Sequence, residues 1–260
     1  MNWQELVRSD RYAEAVPKLR QFLANSPDHI GAQQSMAKAL RATGQYREAL
    51  SFYERVAAHR RQDKVANKMA PGSAPWDIDI ACLHWLCGDR AKAMEMMHGL
   101  AAGILDGSIQ YASDAAGGMT QGLLLYYMSV SENKPEEMSF ALSYLRHLRD
   151  QLKRIMIQNW PCAAASYYLG DIPFAKVMEE VNERVVTMPP IDPAMLELGR
   201  RIRLCDALFH DGVKSRAQGD EARCLLRMRE CAALENPIVE QEWYLARYEI
   251  EKAGSQRSTS

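Results

Sequence analysis

Apolar residues recur three and four positions apart along most of this chain, which is the period of an amphipathic α-helix. Glycine, proline and asparagine interrupt the pattern at intervals and indicate turns. The predicted helices cover about 77–87, 90–104, 119–130, 133–157, 163–169, 194–217, 220–234 and 238–251. No segment has the alternation that is typical of a strand. The pattern therefore predicts an all-α fold.

The first two helix pairs repeat one another at a shift of 34 residues, from Tyr12-x-x-Ala15 to Tyr46-x-x-Ala49. The same shift relates Leu6 to Leu40, Leu19 to Tyr53, Phe22 to Val56, and Asp10 to Gly44. A small residue such as Ala15 lets two antiparallel helices approach closely. This spacing and these residues resemble the tetratricopeptide (TPR) repeat family.

Later segments repeat the Gly-to-Ala spacing of this turn, at Gly88–Ala93 and Gly170–Ala175, but out of phase. About ten extra residues precede the third unit, and we expect them in a polar loop over 60–75. The resemblance implies a TPR-like α-solenoid of about six helical hairpins with a C-terminal capping helix. We predict one domain over 1–252 and a disordered tail over 253–260.

The segment 103–122 carries five glycines and separates two helical patterns. We interpret it as a tight connection between hairpins, because Asp106-Gly107 favours a turn and paired glycines disfavour a helix. The helix that follows is apolar almost all round, which predicts burial on most sides. An alternative is a ligand or enzyme pocket, or a partner contact, containing Tyr111, Asp114 and Gln121.

Composition excludes several classes of protein. The net charge of −1 disfavours nonspecific nucleic-acid binding, and no apolar run is long enough to span a membrane. The N-terminal MNWQELVRSDR lacks the pattern of a signal peptide. The six cysteines lie within helical patterns beside apolar residues, which favours reduced, buried thiols and a cytoplasmic location.

Catalytic and metal-binding motifs are weak. Cys82-x-His84-x-x-Cys87 offers three ligands, but successive helical residues project about 100° apart and the three side chains diverge. The histidines do not accompany a nucleophile motif. We therefore predict a non-enzymatic protein without a metal or cofactor.

Two surfaces are candidates for partner binding. The concave face of TPR arrays is lined by the first helix of each hairpin, and the resemblance would place a basic strip there that leads to an aromatic residue: Arg8, Gln34, Lys38, Arg41 and Trp85. The last helix combines Glu242 and Arg247 with Trp243. An acidic segment of a partner would fit the strip.

Four stretches together look similar to a group of bacterial TPR-like proteins from polymorphic-toxin loci: 77–91, 103–127, 204–237 and 242–249. That resemblance implies an immunity protein, which binds a cognate toxin in the cytoplasm of the producing cell and neutralises it. A TPR adaptor or chaperone that receives a peptide in its groove is the first alternative. A small-ligand or enzyme site around 103–122 is the second.

Overall fold

The chain is built of α-helices. The structure, a computed structural model, describes residues 1–66, 75–109, 117–151, 160–183, 192–234 and 240–257. These residues form thirteen helices and no strand, so the predicted all-α fold is confirmed. The helices are α1 (Trp3–Arg8), α2 (Tyr12–Asn25), α3 (Ile30–Ala42), α4 (Tyr46–Ala66), α5 (Pro75–Leu86), α6 (Arg90–Leu105), α7 (Met119–Ser131), α8 (Pro135–Gln151), α9 (Cys162–Leu169), α10 (Phe174–Asn182), α11 (Pro193–Ala217), α12 (Glu221–Ala232) and α13 (Gln241–Arg257).

Six turns of one geometry join these helices in pairs. In each turn one residue has a positive φ, and the N–H of the following residue donates to a carbonyl five positions back at 2.8–2.9 Å. This is the hydrogen bond that closes a Schellman motif at a helix C-terminus. The positive-φ residues are Asp10, Gly44, Gly88, Asn133, Gly170 and Gly219. In the described residues they define six hairpins, from α1–α2 to α11–α12, with α13 as a single last helix, as the sequence predicted.

One predicted boundary is wrong. The polar stretch expected to be a loop from residue 60 is helical as far as Ala66, where α4 ends. Its residues are polar, but Ala, Arg, Gln and Lys are good helix formers, and the first helix breaker is Pro71. Polarity was therefore a poor guide to the end of this helix. The remainder of the predicted loop, over 67–74, lies outside the described residues.

The chain divides into two compact units within the span predicted as one domain. The first comprises Met1–Met96 and Ser108–Tyr111, and the second comprises Met97–Gly107 and Ala112–Ser260. In the first unit, the equivalent alanines Ala15 and Ala49 are completely buried. Helices α2, α3 and α4 pack side by side around them. The two alanines thus lie buried among packed helices, as the repeat pattern predicted.

Helix α7 forms the centre of the second unit. Ten of its residues are buried, and it packs against α8, α9 and α11. A Cβ at Gly122 would lie 2.6 Å from Tyr144 Cδ1 and 2.7 Å from Leu145 Cδ2 of α8, so glycine is required for this close approach. The prediction of a helix buried on most sides is confirmed.

The last three helices complete the second unit, with α11 in contact with both α12 and α13. Gly212 lets α11 approach α12, where a Cβ would lie 3.2 Å from the carbonyl oxygen of Cys224. Helix α13 continues to Arg257, past the boundary predicted at residue 252. None of the helices in the described part of the chain combines the length and the apolar character that a membrane-spanning segment requires.

Candidate partner-binding surface

The basic strip predicted on the first helices is only partly accessible. Arg8 is exposed at the end of α1, and Gln34 and Lys38 are half-buried on α3. Gln34 and Lys38 are four residues apart and therefore share one side of the helix. The opposite side of α3 is closed by buried apolar residues such as Met36 and Leu40. These three polar residues are at least partly accessible in the folded chain.

Lys38 presents a partly desolvated charge. Its Nζ lies 5.6 Å from the centroid of the Tyr12 ring, so the amino group rests on an aromatic face of the neighbouring helix. Burial lowers the pKa of Lys38, and the nearby Asp10 carboxylate partly offsets this effect. An amine that has already lost part of its hydration loses less on contact with a carboxylate. Lys38 is therefore a partly desolvated cation that remains half-accessible on α3.

Arg41 does not belong to the accessible strip. It is 4% exposed, its Nη1 forms an ion pair with Asp79 of α5, and its guanidinium lies 5.5 Å from the centroid of the Tyr53 ring. The prediction that Arg41 contacts a partner is wrong, because the residue is used to hold α3, α4 and α5 together. Sequence could not reveal this, since Asp79 follows Arg41 by 38 positions.

Trp85 is also unavailable to a partner. Its exposure is 0%, and the Arg90 guanidinium lies 5.0 Å from the centroid of its ring. Helix α5 is buried on several sides, so a residue that the repeat register places on the concave face lies in the core instead. The prediction of an aromatic partner contact at Trp85 is wrong for this reason.

One of the three residues that the alternative ligand site around 103–122 would need is not accessible. Gln121 is 0% exposed within α7 and is part of the packed interior. Tyr111 and Asp114 lie outside the described residues. Two shallow depressions of about 410 and 470 Å³ occur in the first unit, beside the turns at Gly44 and Gly88. Neither depression includes residues of the 103–122 segment.

The two contact residues predicted on the last helix, Glu242 and Arg247, differ in their exposure. Arg247 is exposed, and its guanidinium lies 4.6 Å from the centroid of the Trp243 ring. The Trp243 Nε1–H donates to the Leu234 carbonyl at 3.1 Å, which fixes the indole. Glu242 is 4% exposed and lies beside His210, so its predicted role at the surface is wrong. Arg247 with Trp243 stays a candidate contact.

Sequence reasoning missed a group of buried polar residues in the second unit. Asp206, His210 and Asp211 of α11 are at most 5% exposed, as are Glu242 and Glu249 of α13. The available signal was Asp206-x-x-x-His210-Asp211 within an otherwise apolar stretch of α11. Charged residues are almost never buried without a partner or a function.

Comparison with known proteins supports the repeat architecture of the first unit. Residues 6–70 match the family model described as tetratricopeptide repeat. The match covers the two hairpins that are 34 residues apart. No curated protein matches the chain. The turn residues Gly44, Gly88, Asn133, Gly170 and Gly219 are spaced by 44, 45, 37 and 49 positions, which explains why the regular repeat is recognised only at the start.

Proposed function

We propose that this protein is a non-enzymatic binding module that recognises a protein partner through Arg8, Gln34 and Lys38. The observation that carries this proposal is the accessible polar side of α1 and α3 within the segment that matches the tetratricopeptide repeat. Repeats of this family generally mediate interactions between proteins. The strip contributes two cations and an amide, which suits an acidic surface of the partner.

The specific partner we propose is a bacterial toxin that this chain neutralises as an immunity protein. The resemblance of 77–91, 103–127, 204–237 and 242–249 to TPR-like proteins of polymorphic-toxin loci supports this step. Rigid helical hairpins lose little conformational entropy on binding, which favours tight association with a folded domain. Occlusion of the toxin's active site, or of a surface that it needs, requires no catalytic group on this chain.

Growth rescue tests the proposal directly. A domain that is encoded near the gene of this chain and stops growth when it is expressed in a bacterial host is produced there with and without this protein. We expect the wild-type chain to restore growth and to bind the domain in a 1:1 complex, seen by size-exclusion chromatography. Absence of both rescue and binding would show that the immunity function is wrong.

A variant that reverses the charge of Arg8 and removes that of Lys38 tests the surface. In Arg8→Glu/Lys38→Met, the methionine keeps an apolar stem on Tyr12 but removes the charge. We expect affinity for the partner to fall at least about tenfold. The matched control is Arg47→Glu/Lys18→Met, which makes the same changes at exposed positions of the second helices α4 and α2. Equal losses in both variants would show that the strip is not the binding surface.

A peptide-binding adaptor is the second candidate, favoured by the partly desolvated Lys38. An adaptor would bind an extended acidic peptide at about micromolar strength, whereas an immunity protein would bind only the folded toxin domain. Competition between the peptide and the folded domain, measured by fluorescence anisotropy, distinguishes the two.

A further inference from the structure

Two buried thiols face each other between α11 and α12. Cys205 of α11 and Cys231 of α12 are both 0% exposed, and their Sγ atoms are 3.3 Å apart. The two sulfur atoms of a disulfide bond are about 2.05 Å apart, so these atoms would need to approach by about 1.25 Å. Rotation about the two Cα–Cβ bonds can shorten the distance in this way. The two thiols are therefore close enough to react with one another.

The register of the two helices accounts for this contact. On α11, Gly212 lies seven residues after Cys205, and on α12, Cys224 lies seven residues before Cys231. Seven residues make about two helical turns, so both pairs of positions lie along one contact line between the antiparallel helices. A Cβ at Gly212 would lie 3.2 Å from the carbonyl oxygen of Cys224. Cys224 thus lies opposite a glycine, whereas Cys231 lies opposite a thiol.

The pair of thiols lies close to the end of a helix. Cys231 belongs to the last turn of α12, which ends at Ala232. Its Sγ is 3.9 Å from the carbonyl oxygen of Glu242, at the start of α13. The ends of helices open locally at a much lower cost in free energy than their centres. A small, uncharged oxidant can therefore reach the two thiols through local opening, although both are buried in the closed structure.

We propose that Cys205 and Cys231 form a site of oxidative modification, at which hydrogen peroxide converts the two thiols into a disulfide bond. The Cys231 thiolate attacks the peroxide, whose O–O bond breaks to give a sulfenic acid and hydroxide, and the hydroxide takes up the thiol proton to form water. Cys205 then attacks the sulfenic sulfur, the S–S bond forms, and a second water molecule leaves. The two thiols lose two electrons and two protons in all, and one peroxide is reduced to two water molecules.

The bond would fix the hairpin of α11 and α12 in its folded form. It would close the loop of residues 206–230 and connect the last turn of α12 to the middle of α11. A cross-link of this kind reduces the conformational freedom of the unfolded chain and so favours the folded state. We therefore expect oxidation to make the second unit more resistant to unfolding. This role is independent of the proposed partner-binding strip, which lies in the first unit.

The oxidation should be slow near neutral pH. The hydrogen bond between the two thiols, followed by burial, raises the pKa of Cys205 well above its usual range. Because the thiolate is the reactive form, little of the pair can react at any moment. The site therefore responds to sustained exposure to peroxide and stays reduced during a brief exposure.

Peroxide treatment of the full chain, followed by mass spectrometry, tests the site. We expect the folded protein to lose the mass of two hydrogen atoms, and peptide mapping without reduction to join the peptides that carry Cys205 and Cys231. Dithiothreitol should reverse both changes. The oxidised protein should have a higher Tm than the reduced protein. The reference is oxidation in urea, where the unfolded chain should form mixed pairs among its six cysteines.

Three alanine variants provide a matched comparison, because each removes one thiol that is 0% exposed. We expect Cys205→Ala and Cys231→Ala to abolish both the joined peptide and the rise in Tm on oxidation. Cys224→Ala should keep both, since Cys224 lies opposite Gly212. All measurements are repeated in Cys87→Ser, which removes the half-buried thiol and its own reaction with peroxide.

Two results with the wild-type chain alone would overturn the proposal, so the test does not depend on the folding of a variant. One is oxidation of the folded protein to separate sulfinic acids at Cys205 and Cys231, with no bond between them. The other is a bond between these two cysteines that forms no more often in the folded chain than in urea. Among the variants, an equal yield of a bond from Cys224 would also overturn it.

Discussion

At the scale of single residues, burial decides what each charged side chain does. Arg41 and Lys38 are three positions apart on α3, yet Arg41 is enclosed with Asp79 while Lys38 remains half-accessible above Tyr12. Their sequence context is similar, and both belong to the same predicted strip. Arg41 is enclosed because α5 brings Asp79 next to it, whereas no residue of α5 covers Lys38 in this way.

The Arg41–Asp79 pair should be important for stability. Removing one member of a buried ion pair leaves an unpaired charge and typically costs about 3–5 kcal/mol. We expect Arg41→Ala to lower the free energy of unfolding by an amount in this range, measured by urea denaturation. Arg20→Ala is the control, because Arg20 pairs with Glu48 at the surface, at 2.6 Å. That exposed pair should contribute less than about 1 kcal/mol, and similar losses in both variants would contradict the prediction.

At the scale of elements, the hairpins depend on one turn geometry and on a few close helix contacts. Glycine is required for a different reason at a turn than at a close helix contact. At Gly88 the φ of 90° requires it, although a Cβ would meet nothing within 4 Å. At Gly122 the neighbouring side chains of α8 require it. Gly99 in α6 meets neither requirement, because its backbone is helical and a Cβ there would also be in open space.

Alanine substitution should therefore have opposite effects on the stability of the protein at Gly88 and at Gly99. Gly88→Ala places a side chain in the left-handed region and should destabilise the protein by about 1–2 kcal/mol. Gly99→Ala gains helix propensity and should stabilise it by about 0.5–1 kcal/mol. Both changes are measured by urea denaturation. The same sign for both variants would contradict the role assigned to the turn.

Gly122→Ala tests the contact between α7 and α8. A Cβ at 2.6 Å from Tyr144 Cδ1 forces side chains or helices apart, and overpacking of this kind typically costs about 1–3 kcal/mol. The gain in helix propensity of about 1 kcal/mol offsets part of that cost. We expect a net decrease in Tm, measured by circular dichroism. A Tm equal to that of Gly99→Ala would indicate that α7 and α8 are not in close contact.

At the scale of the whole molecule, the burial of the cysteines shows how closely the helices are packed. All six lie in described residues and carry reduced thiols, of which five are buried and that of Cys87 is half-buried. Burial raises the pKa of Cys224 to about 12 and also raises that of Cys87. Because the thiolate is the reactive form, both effects suppress reaction with disulfide reagents near neutral pH.

Native thiol labelling should therefore be slow and selective. With a disulfide reagent at about pH 8, we expect only Cys87 to react before the protein unfolds, and all six thiols to react in denaturant. Mass spectrometry of the labelled peptides identifies the sites, and Cys87→Ser should abolish the early phase. Rapid labelling of Cys205 or Cys231 would contradict the packing of α11 against α12.

The sequence by itself determined the helices, the six hairpins and the turn positions. These features depend on residues that are close in the chain: the helical period, Gly44 and Gly88 at the turns, and Ala15 and Ala49 at the contacts. Local patterns failed where no strong signal was present, as at Arg60–Ala66, where polar helix formers were interpreted as a loop.

Tertiary structure alone decided which polar residues are buried together. The packing of α5 encloses Arg41 and Trp85, and that of α11 against α13 brings Asp206 and Glu242 together across 36 positions of the chain. No periodicity specifies such contacts, because a helical pattern defines an apolar face but not the helix that will cover it. Of the predicted strip, the folded chain leaves Arg8, Gln34 and Lys38 accessible, whereas the buried carboxylates could be recognised as a group only in the folded chain.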